Sequence, residues 1–298
     1  MIQIKSRMAI SKTRQILTRA KDLKKLTARQ AINTALNLAE ARLQMPVARS
    51  LPQNIDIVLT KACNLACTFC KDYETLGAKR VSVENFEKID AAQLFPTARW
   101  VSLCSGGEPY LHKGLEDLLR IAKRYKISSW VLSNGMLLKE DRLRTIIREG
   151  LITLHGFSVD GMKAPTVEAL RVNAKLDVIL ENIKMLLAVR ESESKREPGI
   201  VIRYALMRSN LEELPAAVEH WGQLGVDRLD CGYLSICNGI DQNESLYFHQ
   251  DLMKKVFAEV IAPSPVIIPG SPSDFRERCW KNSRYNPTQS NAMRRGVS

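Results

Sequence analysis

Six short runs rich in β-branched and other apolar residues alternate along this chain with segments of helical pattern. The runs lie at residues 55–60, 100–105, 128–134, 152–161, 199–207 and 227–234. Helical segments follow the first five runs, near residues 81–95, 113–125, 138–149, 166–191 and 210–224. This alternation predicts an α/β fold with a parallel sheet and crossover helices. Six to eight such units can close into a barrel or into part of one.

A cluster of cysteines follows the first predicted strand. The segment TKACNLACTFC, residues 60–70, holds three of the chain's seven cysteines as C-x3-C-x2-C. A tight loop can direct the thiolates of Cys63, Cys67 and Cys70 at one centre, and three thiolates suit a cubane cluster with one open iron. Structural zinc prefers two cysteine pairs, and Cys231 and Cys237 are separated by five residues rather than two to four. The spacing alone leaves zinc, a disulfide and incidental buried cysteines as alternatives.

Three further motifs follow the next three predicted strands. They are Gly106-Gly107-Glu108, Ser133-Asn134-Gly135 and Ser158-Val159-Asp160-Gly161. Two glycines let a backbone approach a ligand closely, and a carboxylate can pair with a ligand ammonium. Each motif alone is more often an ordinary turn at the end of a strand. Because ligands of parallel α/β folds bind at the carboxyl ends of strands, four motifs at one edge predict a binding site there.

On these residues the sequence resembles the radical S-adenosylmethionine (SAM) enzymes. The resemblance implies a partial (β/α)6 barrel of the TIM type with parallel strands. It implies that Cys63, Cys67 and Cys70 hold a [4Fe–4S] cluster whose fourth iron chelates SAM. One electron, from a donor such as flavodoxin or ferredoxin, would cleave SAM to methionine and a 5′-deoxyadenosyl radical. That radical would abstract hydrogen from a substrate.

The same resemblance assigns the SAM contacts. The Phe69 backbone is expected near the adenine, and Glu108 beside the SAM ammonium. Arg171 matches an arginine that reaches the SAM carboxylate. The remaining expected contacts, to the backbone, ribose and carboxylate, are Gly106, Gly107, Ser133, Asn134, Ser158 and Asp160.

The resemblance divides the chain into a basic helical extension (1–50), a core barrel (51–240) and a short C-terminal extension (241–298). Cys231, Cys237 and Cys279 resemble part of an iron–sulfur extension of the SPASM or twitch type, found in enzymes that modify peptides or proteins. Three cysteines are fewer than a full extension of this type needs. Either they hold one auxiliary cluster with a fourth ligand that is not cysteine, or these thiols are idle. A peptide or protein side chain is therefore the expected substrate, with a small metabolite or sugar as the alternative.

The chain's charge is concentrated at its start. The net charge is +12, and residues 1–50 hold 11 Lys/Arg and 2 Asp/Glu. A helix is predicted over residues 9–45, with an apolar stripe that we expect to pack on the barrel. The stripe contains Ile16, Leu17, Ala20, Leu23, Ile32, Ala35, Leu36 and Ala39. A basic leader can bind nucleic acid, an acidic peptide or a membrane surface. A nucleic-acid-modifying or nucleic-acid-binding protein is the alternative that this charge favours. A non-catalytic protein, either a zinc module or a truncated enzyme, is a third.

The cysteine content also bears on the compartment. Seven is an odd number, and the chain shows neither a secretory signal nor an apolar run of 18 residues. We therefore expect a reducing, cytoplasmic setting and no membrane span. Cys104 is expected to be a small buried residue on its strand. His155, Tyr204 and Tyr233 are candidates to face the barrel lumen, with burial in the core as the more common alternative.

Overall fold

The computed structural model describes residues 26–70, 77, 79–91, 94–104, 106–236 and 239–261. The first part of the predicted helix 9–45 lies outside the described residues, as do Cys237 and Cys279. Within the described part of the chain, no helix is long and apolar enough to cross a membrane.

Six parallel strands form the main sheet, as the sequence predicted. They are β1 (Asn54–Asp56), β3 (Trp100–Leu103), β4 (Ser128–Ser133), β5 (Leu154–Ser158), β7 (Gly199–Leu206) and β8 (Arg228–Tyr233), in the spatial order β1-β3-β4-β5-β7-β8. Each is shorter than the predicted run, and 152–161 is reduced to five residues. The end strands β1 and β8 do not pair with each other among the described residues, so the sheet is an open, partial barrel.

One described helix precedes β1, one follows β8, and the others connect the strands and cover one face of the sheet. They are α1 (Ala28–Arg42), α2 (Val83–Ala91), α3 (Leu115–Arg124), α4 (Glu140–Arg148), α5 (Ala164–Leu170), α6 (Leu176–Ser192), α7 (Leu214–Leu224) and α8 (Gln250–Ile261). Short 3-10 helices lie at Pro109–Leu111, Leu211–Glu213, Gln242–Glu244 and Leu246–Phe248. The core forms where apolar residues of the sheet, such as Val131, Phe157 and Ile202, meet apolar stripes of these helices.

Alternation along the strands separates the covered face from the open face. His155 and Tyr204 lie on the covered face and are fully buried, so neither points into the open side of the barrel. The Tyr204 hydroxyl donates to the Asn210 carbonyl over 2.7 Å. Tyr233, in register with buried Leu206, lies on the same face. These three residues therefore pack in the core beneath the helices and do not face the barrel lumen.

One predicted helix differs from the structure in the fourth connection. The helix predicted over 166–191 is divided into α5 and α6, because Arg171–Val172 forms a short strand, β6, that pairs antiparallel with β2 (Ala66–Cys67). Asn173 has a φ of 73°, in the left-handed region that asparagine tolerates.

Cys104 was expected to be a buried residue on its strand. It is half-buried and lies beyond the end of β3, and its thiol lies 3.7 Å from the Trp130 carbonyl.

The N-terminal helix also differs from its prediction. It begins at Ala28, where Thr27 caps it in a reciprocal capping box with Gln30. Its apolar stripe was expected to pack on the barrel, and for the part of the stripe that the structure describes this is wrong: Ile32 and Leu36 are exposed. Ile16, Leu17, Ala20 and Leu23 lie outside the described residues. The side chains that meet the barrel and the following segment are polar, namely Gln30, Asn33, Thr34 and Glu40.

Candidate cluster and cofactor site

The three cysteines lie on the loop that leaves β1 at the carboxyl edge of the sheet. Its middle section is pinned by the β2–β6 pair, in which Cys67 is the register partner of Arg171. The Thr68 amide donates to the Leu170 carbonyl over 2.9 Å and extends this attachment. The segment between α5 and α6 therefore has a structural role, because its backbone holds the cysteine loop in position.

Two glycines bring the end of β3 against the start of the cysteine loop. The Gly107 amide donates to the Thr60 carbonyl and the Glu108 amide to the Ala62 carbonyl, each over 2.7 Å. A Cβ on Gly107 would overlap the Ala62 carbonyl, and Gly106 has a φ of 88°. The sequence predicted a close approach to a ligand at these glycines. The contact that the structure gives them is with the chain's own backbone next to Cys63.

Glu108 is buried beneath this loop and collects three hydrogen bonds. Its Oε1 accepts from the Tyr110 amide over 3.1 Å and from the Ser133 hydroxyl over 2.8 Å. Its Oε2 accepts from the Asn134 amide over 2.8 Å. Burial raises the pKa of the Glu108 carboxyl, and these donors oppose that rise. Glu108 thus joins the ends of β3 and β4.

Asn134 carries this network to the cysteine loop. Its side-chain amide donates to Asn64 Oδ1 over 2.9 Å and lies 4.0 Å from Cys63 Sγ. Its Oδ1 accepts from the Met136 amide over 3.0 Å, which fixes the orientation of the side chain. Asn64 was not singled out from the sequence, although it lies inside the cysteine motif.

A second network reaches the loop from the end of β5. Arg171 donates from Nε to Asp160 Oδ2 over 2.7 Å, and its Nη2 lies 2.5 Å from the same oxygen. Its Nη1 lies 3.8 Å from Cys67 Sγ, and its guanidinium sits 5.3 Å from the centre of the Phe69 ring. Asp160 Oδ1 accepts from the Ala205 amide over 2.6 Å, which ties the network to β7.

Two residues that the sequence did not reveal hold this second network. Asn210 is fully buried and donates to the Asp160 and Ala205 carbonyls. Glu213 accepts from the Met162 and Lys163 amides and thereby fixes the chain after Gly161. Both belong to the connection after β7, and a lone asparagine or glutamate in such a position carries no sequence signal.

The cysteine thiols have a surrounding that suits an iron–sulfur cluster. The Leu65 amide donates to Cys63 Sγ over 3.4 Å, in addition to the Asn134 amide and the Arg171 guanidinium near the sulfurs. Hydrogen bonds to sulfur are what tune such clusters. Burial raises the pKa of the Cys67 thiol to about 11 and also raises that of Cys63, so a bound metal is the means to ionise them. Among the described residues, no group of three or more Cys, His, Asp or Glu side chains is arranged so that it could hold one metal ion.

The structure places two further predicted site residues, Ser158 and Cys231, on the strands of the main sheet. Ser158 ends β5 on the open face, in a row with Arg203 and Asp230, which form a 3.5 Å ion pair. Cys231 lies on the covered face and is 2% exposed, and burial raises its pKa to about 12. Its predicted partners Cys237 and Cys279 are outside the described residues. The auxiliary cluster therefore stays a prediction.

The chain is similar to known proteins over most of the barrel. A family model described as the Radical SAM superfamily matches residues 57–232. A tungsten-containing aldehyde ferredoxin oxidoreductase cofactor-modifying protein of Pyrococcus furiosus is 27% identical over 173 residues, which are 57% of this chain and 48% of that protein. PqqA peptide cyclase of Gluconobacter oxydans is 22% identical over 222 residues, 69% of this chain and 56% of the cyclase.

The fold is also shared with solved structures. SuiB of Streptococcus suis, bound to the precursor peptide SuiA, matches with a TM-score of 0.60 at 16% identity, over 78% of this chain and 51% of SuiB. The chain spans about half the length of the curated relatives that it matches. The family model covers more than half of the chain and includes the cysteine loop and all four motif-bearing strand ends. The chain belongs to the radical SAM superfamily, whose members are enzymes that use a [4Fe–4S] cluster and SAM.

Proposed function

We propose that Cys63, Cys67 and Cys70 hold the [4Fe–4S] cluster, that SAM binds beside it, and that the enzyme acts on a side chain of a peptide or protein. One observation carries the first two parts. Networks from the ends of β3, β4 and β5 converge on the cysteine loop, where Asn134 approaches Cys63 and Arg171 approaches Cys67. A loop without a ligand has no need of polar groups directed at its sulfurs.

When bound, the cluster supplies the electron that cleaves SAM to methionine and a 5′-deoxyadenosyl radical. The chain's own residues set the conditions for this. The Leu65 amide and the Arg171 guanidinium direct positive charge at two sulfurs, which stabilises the thiolate form. The β2–β6 pair holds the backbone of the cysteine loop in place at Cys67, which helps to fix the position of this thiol as a cluster ligand.

Glu108 and Arg171 each keep free hydrogen-bonding positions that could bind the ammonium and carboxylate groups of SAM. A carboxylate offers roughly four acceptor positions, and three donors occupy Glu108, which leaves one position on Oε2 for an ammonium group. The Arg171 guanidinium directs its donors at Asp160 and Cys67, and the remaining N–H groups on Nη1 and Nη2 can reach a carboxylate. Phe69, Gly106, Gly107, Ser133, Asn134, Ser158 and Asp160 complete the proposed cofactor site.

The open face of the sheet is the proposed place for the substrate. The row of Ser158, Arg203 and Asp230 lies there, and Arg228 makes a second 2.8 Å ion pair with Asp230. Charged and polar groups of both signs can pair with the amides, carbonyls and side chains of a peptide segment. The peptide named in PqqA peptide cyclase and the SuiA peptide bound to SuiB support this class. The cofactor-modifying relative from Pyrococcus furiosus supports a small molecule as the alternative.

An external electron donor such as flavodoxin or ferredoxin completes the proposal. A second cluster held by Cys231, Cys237 and Cys279 remains part of it as a separate prediction. Because Cys231 is buried in the core, its use as a ligand requires β8 to end differently in the loaded protein.

Anaerobic reconstitution with iron and sulfide tests the proposal. We expect about four irons per chain and formation of 5′-deoxyadenosine when dithionite and SAM are added. About eight irons would support the auxiliary cluster. Zinc without acid-labile sulfide, or a cluster that never cleaves SAM, would contradict the proposed reaction.

The substrate class needs a separate measurement. We expect a deuterated peptide substrate to increase 5′-deoxyadenosine formation and to transfer deuterium into it. Replacement of Arg203 by Gln should lower this stimulation while SAM cleavage without peptide stays unchanged. Deuterium transfer from a small metabolite, and from no peptide, would favour the alternative.

A further inference from the structure

Helix α1 turns its apolar stripe away from the protein. Ile32 is 69% exposed and Leu43 is 73% exposed, and Leu36 lies between them on the same side of the helix. Their spacing of four and seven residues places them in one line along α1 and its C-cap residue, Leu43. Beyond the helix end, Met45 is 43% exposed and Val47 is 70% exposed. Exposed apolar side chains aligned on one side of a helix mark an interaction site more often than isolated ones do.

Polar contacts hold α1 in this orientation. Gln30 is fully buried and donates to the Ala98 carbonyl over 2.7 Å. Asn33 exchanges two hydrogen bonds with the backbone of Leu51. Glu40 accepts from the Arg49 amide and from the Ser50 hydroxyl. Turning the stripe toward the barrel would leave these buried groups unpaired, so the outward orientation is built into the sequence.

The charges around the stripe are all of one sign on its exposed side. Arg29, Arg42 and Arg49 are exposed, while Glu40, the acidic residue of this segment, is buried. Residues 1–25 precede the helix and contain eight Lys/Arg and one Asp, a net charge of +7. The apolar stripe therefore lies in the most basic part of the chain.

This charge decides between the candidates that could cover the stripe. Residues 1–25 or a second copy of α1 would bring like charges together. A helical partner protein would need an acidic face to pack on this basic helix, and an absence of vesicle binding would favour such a partner. An anionic bilayer offers negative charge together with an apolar interior to a convex helix.

We propose that α1 and the turn after it form a peripheral membrane-binding surface, whose apolar side chains enter the headgroup region of an anionic bilayer while Arg29, Arg42 and Arg49 meet the lipid phosphates. The basic residues before α1 add long-range attraction to the same surface. This surface is independent of the reaction proposed for the barrel.

Vesicle co-sedimentation of the full chain tests the proposal. The vesicles contain phosphatidylcholine with or without phosphatidylglycerol, at low and high salt. We expect binding to the anionic vesicles only, and weaker binding at high salt. The triple variant I32S/L36S/L43S should bind at least about 10-fold more weakly. The variant Y247S/F248S removes two other exposed apolar residues and should bind like the unmodified chain.

Circular dichroism of the triple variant checks its fold, which exposed substitutions should leave intact. Unchanged vesicle binding by that variant would overturn the proposal, since charge alone would then suffice. Equal binding to neutral vesicles, or no binding at all, would also overturn it. So would a dimer of the unmodified chain in sedimentation velocity that the triple variant abolishes, because a second copy would then cover the stripe.

Discussion

Asp160 and Arg171 form a buried ion pair that connects the end of β5 to the cysteine loop. The shortest contact, between Asp160 Oδ2 and Arg171 Nη2, is 2.5 Å, and the same guanidinium lies 3.8 Å from Cys67 Sγ. Asp160 is fully buried and Arg171 is 9% exposed. A charge left alone in such a place is costly, so the two residues depend on each other.

Replacing Asp160 by Asn should lower the free energy of unfolding by about 3 kcal/mol. The substitution keeps an acceptor for the Ala205 amide, but it removes the charge that balances Arg171 and replaces Oδ2, which accepts both Arg171 contacts, with an amide donor. Urea unfolding measures the change. As a control, Glu149→Gln weakens the exposed pair with Arg120 and should have a much smaller effect. Equal effects of the two substitutions would contradict the dependence of Arg171 on Asp160.

Replacing Gly107 by Ala should prevent the β3 end from closing on the cysteine loop. The new Cβ would overlap the Ala62 carbonyl, next to Cys63. We expect less than about half of the iron content of the unmodified chain after reconstitution, and a stability loss of about 2 kcal/mol. Gly222→Ala in α7 is the matched control, because its Cβ would meet nothing within 4 Å. Full iron content in Gly107→Ala would show that the loop tolerates the displacement.

Replacing Glu108 by Gln should weaken SAM binding about 10- to 100-fold with little change in iron content. The substitution removes the charge that would face the SAM ammonium but keeps a side chain of the same shape. Equilibrium binding of SAM to the reconstituted protein measures the effect. Glu40→Gln, a buried carboxylate in α1, should leave SAM affinity unchanged. If Glu108→Gln bound SAM as tightly as the unmodified chain does, the proposed contact between Glu108 and the SAM ammonium would be wrong.

The positions of the strand ends are predictable from the sequence. Alternation of apolar runs with helices indicates a parallel sheet, and parallel strands necessarily present their carboxyl ends at one edge. The sequence alone therefore predicts that Cys63, Gly107, Asn134 and Asp160 lie at a common edge. Their positions in the sequence carry this information because each follows its strand closely.

The contacts within that edge could not be predicted. Glu108 and Asn134 are separated by 26 residues, and nothing in either motif indicates that their groups hydrogen-bond. The strand at Arg171–Val172 interrupts a continuous helical pattern, because pairing with the cysteine loop outweighs local propensity there. The orientation of α1 was mispredicted for a related reason. Periodicity shows that one side of a helix is apolar, but not which side meets the protein.

His155 and Tyr110 form a buried pair beneath the site, with 2.8 Å between His155 Nε2 and the Tyr110 hydroxyl oxygen. Burial lowers the pKa of His155 to about 3. The imidazole is therefore neutral in the folded protein at pH 5, whereas an unfolded histidine with a pKa of about 6.5 binds a proton there. The unfolded state then binds more protons, so the stability falls as the pH decreases from about 6.5 toward 3.

Replacing both residues, as Tyr110→Phe with His155→Leu, should remove this part of the pH dependence. Between pH 6.5 and pH 5 the unmodified chain should lose about 2 kcal/mol of unfolding free energy through His155, and the double variant should lack that loss. Urea unfolding at the two pH values measures the difference. Tyr110→Phe alone keeps the buried imidazole and should keep the loss. If the double variant and the unmodified chain lost the same stability over this interval, His155 would not be the group that titrates on unfolding.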